Sequence, residues 1–237
     1  MSLNAAFSPP TAQTKPVAPW WHTILLSAFF LVLALAGIIF QRSAGSQNGA
    51  PSSHPNMVPV YFTLIALQWG LLYYVWKAGL RRRGTTLRAL IGGRWGGAKD
   101  VLIDLSLAIV LWVIWMTFQS VWTRLFGSGH AASIQSLLPQ QPAEVALWVL
   151  LSISAGFCEE LIFRGYFLRQ FASLTRSTWL ALLMQALLFG VSHGYQGLDS
   201  TVKITIYGGL FGLLAVWRRS LRPGIAAHVL TDILAIL

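Results

Sequence analysis

The sequence predicts an all-α polytopic membrane protein of about seven transmembrane helices, with a cytoplasmic N-terminus and its candidate functional groups on the last four helices. Apolar residues make up 55% of the 237 positions, and only 10% are charged, against about 25% in an average soluble domain. A soluble fold of this size could not bury so much apolar surface. Uncharged stretches long enough to cross a bilayer recur along the chain.

The predicted helices follow from the apolar stretches in order: 22–40, 57–76, 101–123, 144 to about 171, 178–193, 200–217 and 223–237. Trp20 and Trp21 mark the first border, because amphipathic rings favour the membrane interface. Residues 1–19 show no helical period and predict a mobile tail. The seventh helix is short, about 22 Å at 1.5 Å per residue. It therefore predicts a C-terminus that ends within the bilayer or the bundle.

The basic residues predict the orientation. A cytoplasmic N-terminus places 14 of the 17 Lys and Arg residues inside and leaves Arg42, Arg124 and Lys203 outside. Positive charge concentrates in the cytoplasmic loops of membrane proteins. The net charge of +10 therefore indicates a bilayer partner and no nucleic-acid partner. The single cysteine, Cys158, excludes an internal disulfide and a multi-cysteine metal site, and a packed free thiol is expected there.

The seven acidic residues divide into two groups. Four lie near predicted helix N-termini, where a carboxylate meets the positive end of the helix dipole; these are Asp100, Asp104, Glu144 and Asp199. Glu159, Glu160 and Asp232 instead fall inside predicted spans. A charge at that depth costs at least about 2.5–3.5 kcal/mol, so such residues are candidate functional groups that face the bundle interior.

The five histidines divide similarly. Three lie at helix borders or in loops, where solvated or interfacial side chains are expected; these are His22, His54 and His130. His193 and His228 lie in or at the end of apolar helices. The predicted helix that ends at His193 is shorter than the hydrocarbon thickness of about 30 Å. His193 should therefore lie inside the membrane, and irregular backbone should follow it.

Three short patterns carry these residues. In the segment 156–165, Glu160 and Arg164 lie four residues apart and predict an ion pair, whereas Glu159 points about 100° away and lacks a local cation. A carboxylate of this kind, held in a dry site, suits a proton acceptor near neutral pH. Phe189 and His193 share one helical face, and so do His228 and Asp232. Taken alone, each pair could equally serve packing or hydrogen bonding within the core.

Together, E-E-x-x-x-R, F-x-x-x-H and H-x-x-x-N/D on separate helices resemble the CAAX-protease and bacteriocin-processing (CPBP, or ABI) intramembrane endopeptidases. The resemblance covers about residues 100–237 and implies a protease core there, with 20–99 forming two accessory helices and a basic cytoplasmic loop. It implies peptide-bond hydrolysis in a membrane-embedded cavity of a bacterial cytoplasmic membrane. The implied substrate is a peptide or protein at the membrane, with CAAX tails, leader peptides and membrane-protein segments all open.

The resemblance also implies the residue roles. Glu159 would be the general base that activates water, His193 would position that water, and His228 with Asp232 would stabilise the oxyanion. Glu160 and Arg164 match the supporting pair of the motif, and Phe189 belongs to the second motif. The eukaryotic prenyl-protein proteases carry Asn at the last position. An ionised Asp232 cannot donate a hydrogen bond, so it would be neutral, orient His228, or help to hold a metal.

The same residues allow a metal site and other functions. Glu159, His193, His228 and Asp232 form an adequate donor set for zinc, although the HExxH pattern of soluble zinc proteases is absent, and no metal is firmly implied. A non-catalytic scaffold or immunity-type peptide-binding protein is the alternative function, and a proton-coupled carrier is a further one. Along ideal helices His193 lies deep and His228 shallow, so the site requires that the folded helices bring them together.

Overall fold

The computed structural model describes residues 15–45, 56–127 and 138–236, and these form helices with no β-strand among them. His54 and His130 lie outside the described residues. The helices are α1 Trp20–Gly45, α2 Val58–Tyr74, α3 Leu87–Ile91, α4 Ala98–Phe126, α5 Pro142–Glu159, α6 Leu168–Thr175, α7 Thr178–Ser192, α8 Leu198–Arg218 and α9 Arg222–Ile233. A π-helical segment, Glu160–Phe167, joins α5 to α6, and a 3₁₀ turn, Gly194–Gln196, joins α7 to α8.

Five helical stretches within the described residues are long and apolar enough to cross a membrane: Trp20–Ile39, Val58–Arg83, Ala98–Phe126, Pro142–Thr175 and Leu198–Arg218. Two of the seven predicted helices are shorter, since α7 has 15 residues and α9 has 12. Large apolar side chains are exposed along the outer faces of the helices, as lipid contact requires. The prediction of an all-helical multi-pass protein is confirmed.

The C-terminal helices form the densest part of the bundle. Helix α7 crosses α8 so closely that a Cβ atom at Gly190 would collide with Thr205 Oγ1 and lie 2.8 Å from the Thr201 carbonyl oxygen. Small residues allow such close approach between membrane helices. Across the same crossing, Gln185 Nε2 donates to the Gly208 carbonyl at 3.0 Å. The crossing holds the end of α7, and therefore His193, against α8.

Gly190→Ala is expected to destabilise the protein by about 1–3 kcal/mol, because the added methyl group must push α7 and α8 apart. Gly209→Ala is the matched control on α8, since a Cβ atom there would meet nothing within 4 Å. Thermal unfolding of both variants in detergent measures the difference. Equal unfolding temperatures for the two variants would contradict this account of the crossing.

His22 is buried, and the expectation of a solvated or interfacial side chain is wrong. Its exposed fraction is 0%, and its Nδ1 lies 2.7 Å from the hydroxyl of Tyr166, a residue of the π-helical segment. The ring also stacks on Tyr74, with centroids 4.8 Å apart. A histidine at the sequence border of a helix is buried here because α1 begins against the protein core rather than against lipid headgroups.

The end of the predicted tail also contacts the core. Gln170 Oε1 accepts from the Val17 and Ala18 amides at 2.9 and 3.3 Å, and its Nε2 donates to the Ala18 carbonyl at 2.8 Å. Ala18 is fully buried. These bonds fix the start of α1 beside α6.

Three of the four helix-terminus acids lie in the first turn of a helix, as predicted. They are Asp100, Glu144 and Asp199. Glu144 also accepts the Met57 amide at 3.0 Å and thereby ties α5 to the start of α2. Asp104 differs, because it is buried further into α4 and binds the guanidinium of Arg218 and the indole of Trp95, at 2.7 and 2.8 Å.

Candidate active site

The first motif lies where the helix changes its winding. Glu159 is the last residue of α5, and Glu160 opens the π-helical segment. π-Helical turns are rare and frequently occur at functional sites, because the extra residue reorients side chains locally. The Glu159 side chain is 22% exposed, and the Glu160 side chain is 1% exposed. The two neighbouring carboxylates therefore occupy different environments, as predicted.

Glu160 binds two partners in the core. Its Oε1 lies 3.1 Å from Arg164 Nη1 and 3.0 Å from His228 Nδ1. Arg164 is fully buried, and its guanidinium lies over the Phe189 ring, 4.2 Å from the centroid. The predicted ion pair is confirmed. The bond to His228 was not predicted, since the sequence pairs that histidine with Asp232 alone.

His228 stands at the centre of the cluster. Its Nε2 lies 3.8 Å from Glu159 Oε2 and 3.7 Å from Asp232 Oδ2. A carboxylate only accepts hydrogen bonds, so Nδ1 carries the proton donated to Glu160. The Nε2 atom faces Glu159 and Asp232 at distances beyond a direct hydrogen bond.

Close helix packing brings α9 to this position. A Cβ atom at Gly224 would lie 3.3 Å from Glu160 Oε2, and one at Gly156 would lie 2.6 Å from Val229 Cγ2. Trp148 on α5 also donates its indole N–H to the Asp232 carbonyl oxygen at 2.9 Å. These contacts hold α9 against α5, so that His228 reaches the first motif.

His193 lies at the end of α7, where the sequence predicts irregular backbone to begin. Its Nδ1 donates to the Phe189 carbonyl oxygen at 2.8 Å, which leaves the Nε2 lone pair as an acceptor. The following 3₁₀ turn packs on α1 so closely that a Cβ atom at Gly37 would lie 2.9 Å from Tyr195 Cβ. The turn and the carbonyl bond together fix the imidazole orientation.

One cavity connects the first two motifs. It has a volume of about 160 Å³, and both Glu159 and His193 line it. Side chains of α1 and α2 also line it. Glu159 thus contacts the His228 cluster on one side and the cavity shared with His193 on the other. The difference in depth expected for ideal helices does not keep the motifs apart.

The geometry of the same donors bears on metal binding. Among the described residues, no group of three or more His, Cys, Asp and Glu side chains converges as metal ligands do. His228 already donates from Nδ1 to Glu160, and its Nε2 lies 3.7–3.8 Å from the nearest carboxylate oxygens. The Nδ1 atom of His228 is therefore engaged by Glu160 in this arrangement, and Nε2 is the ring nitrogen that faces Glu159 and Asp232.

The apolar helices fit a multi-pass membrane protein, and they bring a Glu/His/Asp cluster together beside a cavity. Residues 141–234 match the family model of the type II CAAX prenyl endopeptidase Rce1-like proteins, which confirms the predicted resemblance. At the level of the family, this match supports an intramembrane CAAX-type protease, a hydrolase. Comparison with the curated proteins and with the solved structures found no match. The matched segment contains all three motifs.

Proposed function

We propose that this protein is an intramembrane endopeptidase in which Glu159 activates water for attack on a peptide bond. The observation that carries the proposal is the position of Glu159, which lies 3.8 Å from His228 Nε2 and lines the cavity shared with His193. A general base needs this combination of access to water and contact with proton-transfer partners. The family match supports the same chemistry.

The reaction would proceed at the cavity edge. Glu159 accepts a proton from water while the water oxygen attacks the substrate carbonyl carbon. The carbonyl oxygen takes up the negative charge of the tetrahedral intermediate. When the C–N bond breaks, the proton held by Glu159 passes to the leaving nitrogen. General-base assistance of this kind contributes about 10²–10⁴-fold to the rate.

The remaining motif residues would act on this base and on the intermediate. His193, with Nδ1 held by the Phe189 carbonyl, would accept a hydrogen bond from the attacking water through Nε2. Doubly protonated His228 would donate from Nε2 to the oxyanion. Asp232, whose Oδ2 lies 3.7 Å from that atom, would orient the His228 ring. The Glu160–Arg164 pair would hold His228 from its other side.

The membrane placement belongs to the same proposal. Seven apolar helices with the N-terminus in the cytoplasm would put the basic segment 77–99 and the turn at Arg218 and Arg219 on the cytoplasmic side, as the positive-inside bias favours. The protein would lie in a bacterial cytoplasmic membrane. Residues 100–237 would form the protease core, with α1 and α2 as accessory helices in front of it.

The purified protein in liposomes is expected to cleave a synthetic peptide that ends in farnesylated Cys followed by Val-Ile-Met, because the family match implies a CAAX-type substrate. Mass spectrometry locates the cut, and the same peptide without the farnesyl group tests whether the lipid is required. A proteome-derived peptide library extends the assay to leader-type substrates. Failure to cleave the peptides and the library would favour a non-catalytic scaffold or peptide-binding protein.

A further inference from the structure

A tyrosine outside the three motifs lines the same cavity as the proposed base. Tyr195 lies in the 3₁₀ turn Gly194–Gln196, directly after the second motif. Its side chain lines the cavity that Glu159 and His193 also line, and it is 39% exposed, so it is not enclosed in the core. The cavity has a volume of only about 160 Å³. A peptide unit that enters it therefore contacts several of the lining groups at once.

Packing against α1 fixes the position of this tyrosine. A Cβ atom at Gly37 would lie 2.9 Å from Tyr195 Cβ, so only a glycine at that position lets the turn come so close. The Tyr195 ring lies beside the ring of His193, with centroids 6.2 Å apart. The turn thus holds the tyrosine ring next to the imidazole before any substrate binds.

The Tyr195 hydroxyl has a proton that it can donate. Its oxygen accepts a hydrogen bond from Gln196 Nε2 at 3.0 Å. A phenolic hydroxyl both donates and accepts, and no group among the described residues accepts its proton. His193 differs, because its Nδ1 already donates to the Phe189 carbonyl oxygen. Tyr195 therefore brings an unused donor to a cavity where Glu159 can only accept while it is ionised.

The hydroxyl also lies close to the charged groups of the site. It is within electrostatic range of two carboxylates, Glu159 of the first motif and Asp232 of the third. Both of these carboxylates face His228 Nε2, at 3.8 and 3.7 Å. The tyrosine donor and the Nε2 atom of His228 thus belong to one site, although they come from different helical elements.

The proposed reaction has a use for a second donor. The carbonyl oxygen of the substrate becomes negatively charged when water attacks, and preorganised hydrogen-bond donors aimed at this oxygen are the usual means of stabilising it. His228 supplies one such donor in the proposed mechanism. Asp232 cannot supply another while it is ionised. A tyrosine side chain is one of the groups that fills this role in enzymes.

We infer that Tyr195 is a catalytic residue, whose phenolic O–H donates a hydrogen bond to the oxyanion of the tetrahedral intermediate together with His228. The inference rests on the proposed peptidase function. The proton stays on the tyrosine oxygen throughout the reaction. The bond becomes stronger as the carbonyl oxygen gains charge, so it stabilises the transition state more than the bound substrate.

Tyr195→Phe is expected to lower kcat for the farnesylated CAAX peptide about 10²-fold, as the loss of one oxyanion donor does, and to leave KM nearly unchanged. The variant removes one oxygen and keeps the ring beside His193, so thermal unfolding in detergent should be the same as for the wild type. Tyr73→Phe is the matched control, because Tyr73 is exposed on α2 and does not line the cavity. Both of its kinetic constants should equal those of the wild type.

Two peptide inhibitors distinguish an oxyanion contact from general substrate binding. A phosphinic analogue carries a charged oxygen where the oxyanion forms, and a reduced-amide analogue has no oxygen there. Tyr195→Phe should weaken binding of the phosphinic peptide about as much as it lowers kcat/KM, and it should leave binding of the reduced amide unchanged.

Full activity of Tyr195→Phe, beside an inactive Glu159→Gln protein, would overturn the inference and leave the peptidase function intact. A loss confined to KM, or equal weakening of the two inhibitors, would also overturn it, since either result assigns the hydroxyl to substrate binding alone. A wild-type protein that cleaves no peptide would contradict the proposed function and this inference with it.

Discussion

Glu159→Gln is expected to abolish peptide hydrolysis, with kcat/KM lowered by about 10²–10⁴-fold, while the protein still folds. Glutamine has nearly the same shape as glutamate but cannot accept a proton from water at neutral pH. The Glu159 side chain is partly exposed to the cavity. Among the described residues, its contact with His228 Nε2 is 3.8 Å long, which is beyond hydrogen-bond distance. The substitution should therefore change the chemistry far more than the stability. Cleavage of the farnesylated CAAX peptide and thermal unfolding in detergent measure the two effects.

Asp100→Asn is the matched control for this experiment. It makes the same change from carboxylate to amide at the N-terminus of α4, where Asp100 accepts the Gly96 amide at 2.7 Å. Activity should remain within about twofold of the wild type. A Glu159→Gln protein that retains more than a tenth of the wild-type activity would rule out Glu159 as the general base. Equal losses in both variants would point to an effect on folding instead.

The sequence singles out the acidic residues of this cluster because a charge inside a membrane is costly. Glu159, Glu160 and Asp232 lie deep in apolar stretches, which makes them candidates, and the structure brings all three to the ring of His228. Asp104 shows where the division of the acidic residues by position fails, because it forms a long-range ion pair instead of a helix-terminus contact. A position near a helix start is compatible with a dipole contact and equally with a long-range ion pair, and only the fold selects the pair with Arg218.

Other features follow from contacts that no local pattern reveals. The π-helical winding of Glu160–Phe167 has no signature in the sequence, since its residues would suit an α-helix equally well. The Glu160–His228 bond joins residues 68 positions apart, whereas helical periodicity reports only on near neighbours. His22 is buried because Tyr74 and Tyr166 from two other helices cover it. Tertiary packing decides each of these outcomes.

The role of α1 and α2 is a case of the same kind. Neither helix carries a motif, and the sequence assigns them no functional residue. In the structure, side chains of both helices line the cavity that Glu159 also lines.

Glu160→Gln and Arg164→Met are each expected to destabilise the protein by about 3–5 kcal/mol, because either change leaves an uncompensated charge in the core. The exposed fractions of both side chains are 1% or less, and the Glu160 Oε1 atom is shared by Arg164 Nη1 and His228 Nδ1. The double variant Glu160→Gln/Arg164→Met removes both charges together. It should recover at least half of the stability lost in Arg164→Met, since a neutral pair of similar volume needs no compensation.

Lys203→Met is the matched control, because Lys203 and Asp199 also form a pair four residues apart on one helix, at 2.7 Å. That pair is partly exposed, with side chains 17% and 25% accessible, so its loss should cost less than about 1 kcal/mol. Thermal or chaotrope unfolding in detergent measures all four variants. A double variant as unstable as the sum of its single variants would contradict the charge argument. In that case the stability lost in Arg164→Met would come mainly from the packing of the guanidinium on Phe189. The guanidinium carbon lies 4.2 Å from the centroid of that ring.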